Sequence, residues 1–202
     1  MLMIAAAMIL ITTACQTSSE EQLETVNEES VMKKRVAILV AEGFHDGEAY
    51  MPMGYFVNQG FEVTVIGPEA GKVKSYNSDF TINIDKAVTE VNAEDFDALV
   101  LPGGKGPALL RENVDVVEFV KAFQATGRVI AAICHGPQVL ITAGLVEGMT
   151  CTGVGGIQEE LEVAGARFID EPVVVDGNLV TSRVPGDLYD FSSTIVKKIN
   201  EL

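Results

Sequence analysis

VIAAICHGPQ, residues 129–138, joins an apolar strand to the start of a helix and carries a cysteine at the junction. The run Val129–Ile133 is continuously apolar, as a parallel strand covered on both faces requires. Cys134 follows at once, and we predict a helix over residues 135–143, closed by Gly144. A side chain on such a turn projects at the carboxyl edge of the sheet, where open α/β folds bind their ligands.

The charge distribution at this junction favours a reactive sulfur. A helix N-terminus carries partial positive charge and free backbone amides, so we predict a lowered pKa and a thiolate at Cys134. His135 is adjacent and can add positive charge or carry a proton. A lone cysteine is more often a small buried apolar residue, so the pattern alone leaves a functional and a core role equally open.

The rest of the chain after residue 32 alternates strands and helices. The predicted core strands, all rich in apolar residues, are residues 35–40, 62–66 and 98–101. Residues 72–84 predict short strands or a hairpin beside the main sheet, and Asp176-Gly177-Asn178 predicts a late hairpin. We therefore expect one α/β domain, residues 33–202, with helices on both faces of a mostly parallel sheet.

The first 32 residues differ from this pattern in composition. Residues 1–14, MLMIAAAMILITTA, are apolar and uncharged but short for a bilayer span, which is typical of a signal peptide. Small residues directly precede Cys15, which resembles a bacterial lipobox and implies cleavage before a lipidated Cys15. Residues 16–30 are polar and acidic, so residues 15–32 are predicted to be a lipidated, disordered tether. The alternative is a buried or frayed N-terminal helix.

Charge and cysteine content argue against several functional classes. The formal net charge is −15, and so acidic a surface repels phosphate backbones, so nucleic acid is not an expected partner. Three widely spaced cysteines and two histidines suggest neither a disulfide framework nor a metal cluster, so we expect no metal. No GxGxxG follows the first strand and no Walker sequence occurs, so no nucleotide cofactor is expected.

The motif Cys134-His135-Gly136-Pro137-Gln138, after VIAAI, resembles the nucleophile motif of the DJ-1/PfpI superfamily, in its PfpI-like, peptidase C56 or glyoxalase III form. Other stretches agree in order and spacing: residues 44–48 with Pro52, LVLPGG at 99–104, VVVDGNLVT at 173–181 and SRVPGDL at 182–188. The resemblance covers nearly the whole of residues 33–202. It implies a flavodoxin-like three-layer sandwich of the class I glutamine amidotransferase type.

The resemblance also assigns roles around the cysteine. Glu48 matches the glutamate that hydrogen-bonds the nucleophilic sulfur, as a protonated donor to the thiolate or as a general acid or base. Gly103, Gly104 and Gly136 match the turns that bind an oxyanion or substrate. In the family, the Gly104 amide and the amide after the cysteine form the oxyanion hole.

Other positions bear on which reaction is expected. Arg183 and Asp187 match a pair near the family's site that is more often structural. Peptidase-type members carry an acid just after Pro-Gly-Gly-x-x-Pro, which orients the histidine of a neighbouring subunit, and Ala108 stands there in this chain. Because a Cys-His-acid triad needs its third member to fix the imidazole, Ala108 argues against a peptidase.

The resemblance leaves three functions open. The first is a cofactor-free, stress-protective enzyme of the glyoxalase III or deglycase type, in which Cys134 attacks small reactive carbonyls while Glu48 and His135 move protons. The second is a PfpI-type cysteine peptidase or amidase, and the third is a non-enzymatic redox sensor or chaperone. The expected substrates are small aldehydes, glycated compounds or peptides.

Assembly and location follow from the same resemblances. Relatives form dimers or hexamers, so a homo-oligomer is expected. If the N-terminal signal is genuine, Cys15 anchors the domain by lipid to a membrane of the bacterial cell envelope; otherwise the protein is expected in the cytoplasm.

Overall fold

A seven-stranded sheet forms the centre of residues 33–202, the part of the chain that this computed structural model describes. The strands in the described residues are β1 (Arg35–Leu39), β2 (Glu62–Gly67), β3 (Gly71–Lys74), β4 (Thr81–Ile84), β5 (Lys86–Ala87), β6 (Ala98–Leu101), β7 (Val129–Ile133), β8 (Thr150–Cys151), β9 (Arg167–Phe168), β10 (Val173–Asp176) and β11 (Leu179–Ser182). The central order is β10-β11-β7-β6-β1-β2-β5. Adjacent strands of this sheet are parallel, except that β10 is antiparallel to β11.

Helices cover both faces of this sheet. They are α1 (Asp46–Asn58), α2 (Gly106–Leu110), α3 (Val114–Ala125), α4 (Pro137–Thr142), α5 (Gln158–Val163) and α6 (Leu188–Asn200). Phe56 of α1 and Phe191 of α6 lie in the core on one face. Phe123 of α3 and Leu161 of α5 lie in the core on the other. The predicted three-layer sandwich with a mostly parallel sheet is confirmed.

Alternation along each central strand supplies both cores. In β1, Ala37 and Leu39 face the layer with α3, while Val36 and Ile38 face the layer with α1. Side chains in a strand point alternately to opposite faces, so a strand between two helical layers must be apolar at every position. This requirement explains why the core strands are continuous apolar runs.

The start of α4 departs from the prediction. The predicted helix over residues 135–143 instead begins at Pro137 and ends at Thr142. Between β7 and α4 the chain makes a tight turn, in which the Gly136 N–H donates to the Ile133 carbonyl at 2.8 Å. This turn, with Cys134 left-handed at φ 61°, takes up residues 134–136, so the regular helix starts only after it.

The predictions for the N-terminal segment, the signal peptide over residues 1–14 and the lipidated tether over 15–32 with Cys15, lie outside the described residues. Within residues 33–202, no helix is both long enough and apolar enough to cross a membrane. The predicted domain from residue 33 onwards holds both core clusters described above.

Candidate active site

Cys134 stands at the carboxyl end of β7, on a turn held from both sides. Its N–H donates to the Ser182 carbonyl at 3.1 Å, and its carbonyl accepts the Val154 N–H at 3.1 Å. Among the described residues it is the only non-glycine residue with a positive φ. A left-handed conformation costs free energy in a residue with a Cβ, and it persists where the surroundings enforce it. The side chain is 8% exposed, so the sulfur is close to the surface but mostly covered.

Glu48 brings a carboxyl group to the sulfur from the first turn of α1. The residue is fully buried, and its Oε2 accepts the Gly103 N–H at 2.7 Å. The carboxyl group also hydrogen-bonds the Cys134 side chain. Its other oxygen, Oε1, has no N–H or O–H donor within residues 33–202. Burial raises the pKa of Glu48 to about 7, because an apolar interior disfavours the charged form.

The ionisation of Cys134 differs from the prediction. Burial, followed by the negative charge of Glu48, raises the pKa of Cys134 to about 12, although the amides of Gly104 and His135 act in the opposite direction. The predicted lowering by a helix N-terminus was wrong. The helix begins only at Pro137 and is 6 residues long, whereas a buried carboxylate contacts the sulfur directly. At neutral pH the resting pair is therefore a thiol beside a carboxyl group that titrates near 7.

The three predicted glycines are all needed sterically, but their amides differ. A Cβ on Gly103 would lie 2.7 Å from the Cys134 Cβ and 2.7 Å from Glu48 Oε2. A Cβ on Gly136 would collide with the Leu101 carbonyl oxygen. The Gly103 N–H is already bonded to Glu48 and the Gly136 N–H to the Ile133 carbonyl, so neither is free to bind an oxyanion.

Gly104 differs from Gly103 and Gly136 in the direction of its N–H. Its φ is +87°, and a Cβ there would lie 2.6 Å from the His45 nitrogen. Its N–H is directed at the Cys134 sulfur, as is the N–H of His135. Two backbone donors thus converge where an anion would form after attack by the sulfur.

His135 is the second side chain in contact with the sulfur. Its Nδ1 lies 3.3 Å from Cys134 Sγ. Burial lowers the pKa of His135, and the negative charge of Glu160 partly opposes that effect. Ala108, which stands where peptidase-type members carry an acid, lies exposed on α2.

Arg183 and Asp187 form an ion pair after β11. Arg183 Nε lies 3.0 Å from Asp187 Oδ2, and Arg183 Nη1 lies 2.8 Å from Asp170 Oδ1. The residue before Arg183, Ser182, accepts the Cys134 N–H. The ion pair therefore stabilises the segment that holds the cysteine turn. Within residues 33–202, none of its hydrogen bonds involves the Cys134 sulfur.

Tyr76, in the loop between β3 and β4, was missed by the sequence analysis. Its ring packs edge-on against His45 at 5.8 Å between centroids, and Lys105 Nζ lies 5.7 Å from its centroid. Burial raises the pKa of Tyr76, and the charges of Cys134 and Glu48 raise it further, so the phenol is electrostatically coupled to both groups. A tyrosine in an irregular loop carries no pattern that would have identified it.

Two observations near the site concern the binding of a substrate and of a metal ion. Beside the start of α1 lies a cleft of about 500 Å³, lined by Asp46, Gly47, Tyr50, Met51 and Phe80. Within residues 33–202, no group of three or more His, Cys, Asp or Glu side chains is placed to hold a metal ion. The expectation that the reaction needs no metal remains a prediction.

Known proteins resemble this chain over nearly all of the described residues. The model of the DJ-1/PfpI family matches residues 34–198. "Deglycase TK1284" of Thermococcus kodakarensis is 44% identical over 163 residues, 81% of this chain and 98% of that protein. YraA of Bacillus subtilis, provisionally named a cysteine protease, is 44% identical over 161 residues, 80% of this chain and 95% of that protein.

A solved structure agrees with both sequence comparisons. It is a two-domain protein of Anabaena variabilis with DJ-1/ThiJ/PfpI-like and ferritin-like domains, matched with a TM-score of 0.82 and 41% identity. The match covers 83% of this chain and 48% of that protein, so this chain spans about half of its length. With a family model over residues 34–198 and relatives above 40% identity, the chain belongs to the DJ-1/PfpI family.

Proposed function

We propose that the chain is a cysteine-dependent enzyme that acts on small reactive carbonyls, of the deglycase or glyoxalase III type, with Cys134 as nucleophile. The observation that carries the proposal is the convergence on one sulfur of the Glu48 carboxyl group, the His135 ring and the amides of Gly104 and His135. A relative named as a deglycase, 44% identical over 98% of its own length, supports the same reaction class.

Glu48 is proposed as the general base for the first step. The Cys134 thiol ionises poorly alone, since its pKa is raised to about 12. Glu48, with a pKa of about 7, takes the thiol proton as Sγ bonds to the aldehyde carbon. The carbonyl electron pair moves to oxygen, where the amides of Gly104 and His135 bind it, and Glu48 returns the proton to that oxygen. The product is a neutral hemithioacetal on Cys134.

His135 is proposed to carry the second proton transfer. For methylglyoxal, the hydrogen on the former aldehyde carbon must move to the neighbouring carbon and the hydroxyl proton must move to the ketone oxygen, which together convert the hemithioacetal into a thioester. His135, whose Nδ1 lies 3.3 Å from the sulfur, takes the proton from the former aldehyde carbon and returns it one carbon away, while Glu48 passes the hydroxyl proton from one oxygen to the other. Water then hydrolyses the thioester, so that methylglyoxal and water give lactate with the thiol restored.

The proposal is tested by methylglyoxal turnover in the presence of a metal chelator. We expect lactate formation by the wild type, loss of turnover in Cys134→Ala, and retention in Cys151→Ala, a matched control because Cys151 is also a free, buried cysteine. Melting curves of both variants verify folding. Full activity in Cys134→Ala would contradict the proposal.

A peptidase or amidase is the second candidate, and the contact between His135 Nδ1 and Cys134 Sγ at 3.3 Å favours it. The provisional protease name of YraA points the same way. Under this alternative a peptide substrate is cleaved, and cleavage is lost in His135→Ala. The absence of any peptide turnover alongside robust aldehyde turnover would eliminate the peptidase.

A redox sensor is supported less well. Oxidation by peroxide requires a thiolate, and the raised pKa of Cys134 makes that form scarce. Mass spectrometry after mild peroxide treatment distinguishes the roles. We expect Cys134 to remain largely reduced while the enzyme turns over aldehyde; rapid conversion of Cys134 to sulfinic acid would favour the sensor.

For organisation and location, we propose an N-terminal lipid anchor on Cys15, a tether to residue 32 and a DJ-1/PfpI domain from residue 33. The composition of residues 1–30 supports this arrangement. Labelling of cells with an alkyne fatty acid should mark the wild type and leave Cys15→Ser unlabelled. Equal absence of label in both would contradict the anchor.

A further inference from the structure

Lys105 is the residue that follows Gly104, whose N–H is directed at the Cys134 sulfur. The Lys105 N–H donates to the Gly43 carbonyl at 2.8 Å, and Phe44 and Gly104 pair as an isolated β-bridge. These backbone contacts hold the loop after β1 and the loop after β6 side by side at the carboxyl end of the sheet. Lys105 is therefore positioned by the same turn that directs the Gly104 amide at the nucleophile.

The Lys105 ammonium group lies over an aromatic ring. Its Nζ is 5.7 Å from the centroid of the Tyr76 ring, a distance within the usual range of a cation–π interaction. The same ring packs edge-on against His45, and the Tyr76 N–H donates to the Phe44 carbonyl at 3.1 Å. A ring fixed in this way limits where the flexible lysine side chain rests.

Within residues 33–202, the lysines that form salt bridges with Asp or Glu side chains are Lys34, Lys74, Lys121 and Lys198. Lys105 is not among them, although the chain has 29 acidic residues and 14 basic ones. The acidic side chain of Asp46, next to His45, is instead bonded to Asn77 Nδ2 at 2.7 Å. The exposed Lys105 ammonium thus keeps its N–H donors for an anion from solution.

An aldehyde bonded to Cys134 would bring its substituent towards this ammonium group. Its oxygen would be bound by the Gly104 amide, and the next residue along the chain is Lys105. The phenol of Tyr76 is electrostatically coupled to Cys134 and Glu48, so the ring under the ammonium group belongs to the same neighbourhood. The flexible four-carbon stem of a lysine allows its charge to follow a small ligand there.

We propose that Lys105 is a specificity-determining residue that binds a carboxylate of the substrate, so that the site favours small aldehydes bearing a carboxylate over neutral aldehydes of similar size. The inference rests on the proposed function, because it requires Cys134 to add to an aldehyde. The net charge of −15 repels anions from the protein as a whole, so recognition of an anionic substrate needs a local cation. Lys105 supplies that cation beside the nucleophile.

Glyoxylate is the probe, and acetaldehyde is its neutral counterpart because a methyl group takes the place of the carboxylate. With either aldehyde, Cys134 Sγ bonds to the aldehyde carbon and the carbonyl electron pair moves to oxygen. The thiol proton passes through Glu48 to that oxygen, which gives a hemithioacetal without oxidation or reduction. Neither probe has a ketone beside the aldehyde, so the adduct cannot rearrange to a thioester and its formation is a reversible equilibrium.

The test measures the dissociation constants of both adducts by NMR with aldehydes labelled with ¹³C at the aldehyde carbon. The adduct signal is assigned by its absence in Cys134→Ala. In Lys105→Met, we expect the glyoxylate constant to rise by at least about tenfold and the acetaldehyde constant to rise much less, because a charge-assisted hydrogen bond is lost. Lys105→Arg should retain most of the preference for glyoxylate, and added salt should weaken it in the wild type.

The control is Lys72→Met, which removes the same charge from an exposed lysine on β3. It should leave both constants unchanged, and melting curves verify that each variant folds. An unchanged glyoxylate constant in Lys105→Met would overturn the role of Lys105. An equal rise for both aldehydes would also overturn it, because the lysine would then serve the site without reading charge.

Failure of the proposed function gives a different result. If both adducts form and Lys105→Met weakens only that of glyoxylate, carboxylate recognition stands even when methylglyoxal is not turned over. The absence of any adduct on Cys134 in the wild type would overturn both the proposed function and the role of Lys105.

Discussion

The turn at Cys134 and the short strand β8 at Cys151 present the same residue in similar surroundings. Both thiols are buried, and each has a carboxylate nearby: Glu48 for Cys134 and Asp176 for Cys151. Burial and that negative charge raise the pKa of Cys134 to about 12 and that of Cys151 to about 11. By burial and charge alone, the two cysteines would be hard to distinguish.

Their difference lies in the groups that can accept a proton or bind an anion. Cys134 has a histidine ring at 3.3 Å, amides directed at its sulfur and a left-handed backbone that turns the side chain outwards. Cys151 lies within a strand, fully buried, and its pKa reflects only burial and Asp176. A candidate nucleophile is therefore recognised by partners arranged for the reaction, more than by the pKa of its resting thiol.

The largest combined effect on stability and turnover should come from filling the space between Glu48 and Cys134. In Gly103→Ala the new Cβ would need room already taken by the Cys134 Cβ, Glu48 Oε2 and the His135 nitrogen, all within 2.8 Å. We expect a loss of about 1–3 kcal/mol in the free energy of unfolding. Turnover should fall by at least about a hundredfold, because the reacting groups separate.

The control for this substitution is Gly155→Ala, where nothing lies within 4 Å of the added Cβ and φ is not positive. It should leave turnover and stability nearly unchanged. Both quantities come from denaturant titration and methylglyoxal kinetics. If Gly103→Ala behaved like Gly155→Ala, the close packing at Gly103 could not be what holds Glu48 and His135 against Cys134, the partners that Cys151 lacks.

A second difference concerns the pH dependence of stability. The pKa of Glu48 is raised from 4.5 to about 7 on folding, so the native state binds the proton more tightly than the unfolded state does. The contribution of this group to the free energy of unfolding is therefore full below pH 4.5 and is lost as pH rises to about 7, by on the order of 3 kcal/mol.

Urea titrations across that pH range measure this slope. Glu48→Gln should lack the fall contributed by this group, whereas Asp176→Asn, next to Cys151, should keep it. A wild-type slope identical to that of Glu48→Gln would show that the carboxyl group beside Cys134 titrates normally. Turnover by Glu48→Gln should also be low, by about 10²- to 10⁴-fold, if Glu48 is the general base.

The smallest predicted effect comes from the tyrosine over the cysteine turn. Tyr76→Phe keeps the ring that packs on His45 but removes the hydroxyl near Cys134 and Glu48. We expect the hydroxyl to offer bound substrate one hydrogen bond, so its loss should reduce kcat/KM by about tenfold or less. Tyr189→Phe, an exposed residue on α6, provides the comparison and should have no effect on kinetics. An equal effect of both substitutions would remove Tyr76 from the site.

Much of the fold was predictable because local pattern and tertiary structure agree. The strands over 98–101 and 129–133 have the predicted bounds, since apolar runs between turns leave few alternatives. The short strands β5 and β9 were not predicted. Each has 2 residues, and so short a strand exists only because a neighbouring backbone pairs with it.

The candidate site was predictable where a contiguous motif carries it and not elsewhere. Cys134, His135, Glu48 and Gly104 lie in recognisable stretches, and the fold brings them together. Tyr76 lies in a loop whose packing depends on the whole chain, so no local signal marks it. The direction of the Cys134 pKa shift was missed for the same reason, because burial and the contact with Glu48 are tertiary.

The central claim is that a negative charge on Glu48 adds to burial in suppressing the ionisation of Cys134. The direct measurement is the thiolate absorbance at 240 nm as a function of pH, taken as the difference from Cys134→Ala, in the wild type and in Glu48→Gln. The account predicts that Cys134 ionises at a clearly lower pH in Glu48→Gln, since the repulsion is gone while burial remains. Equal midpoints in the two proteins, or a later one in Glu48→Gln, would contradict it.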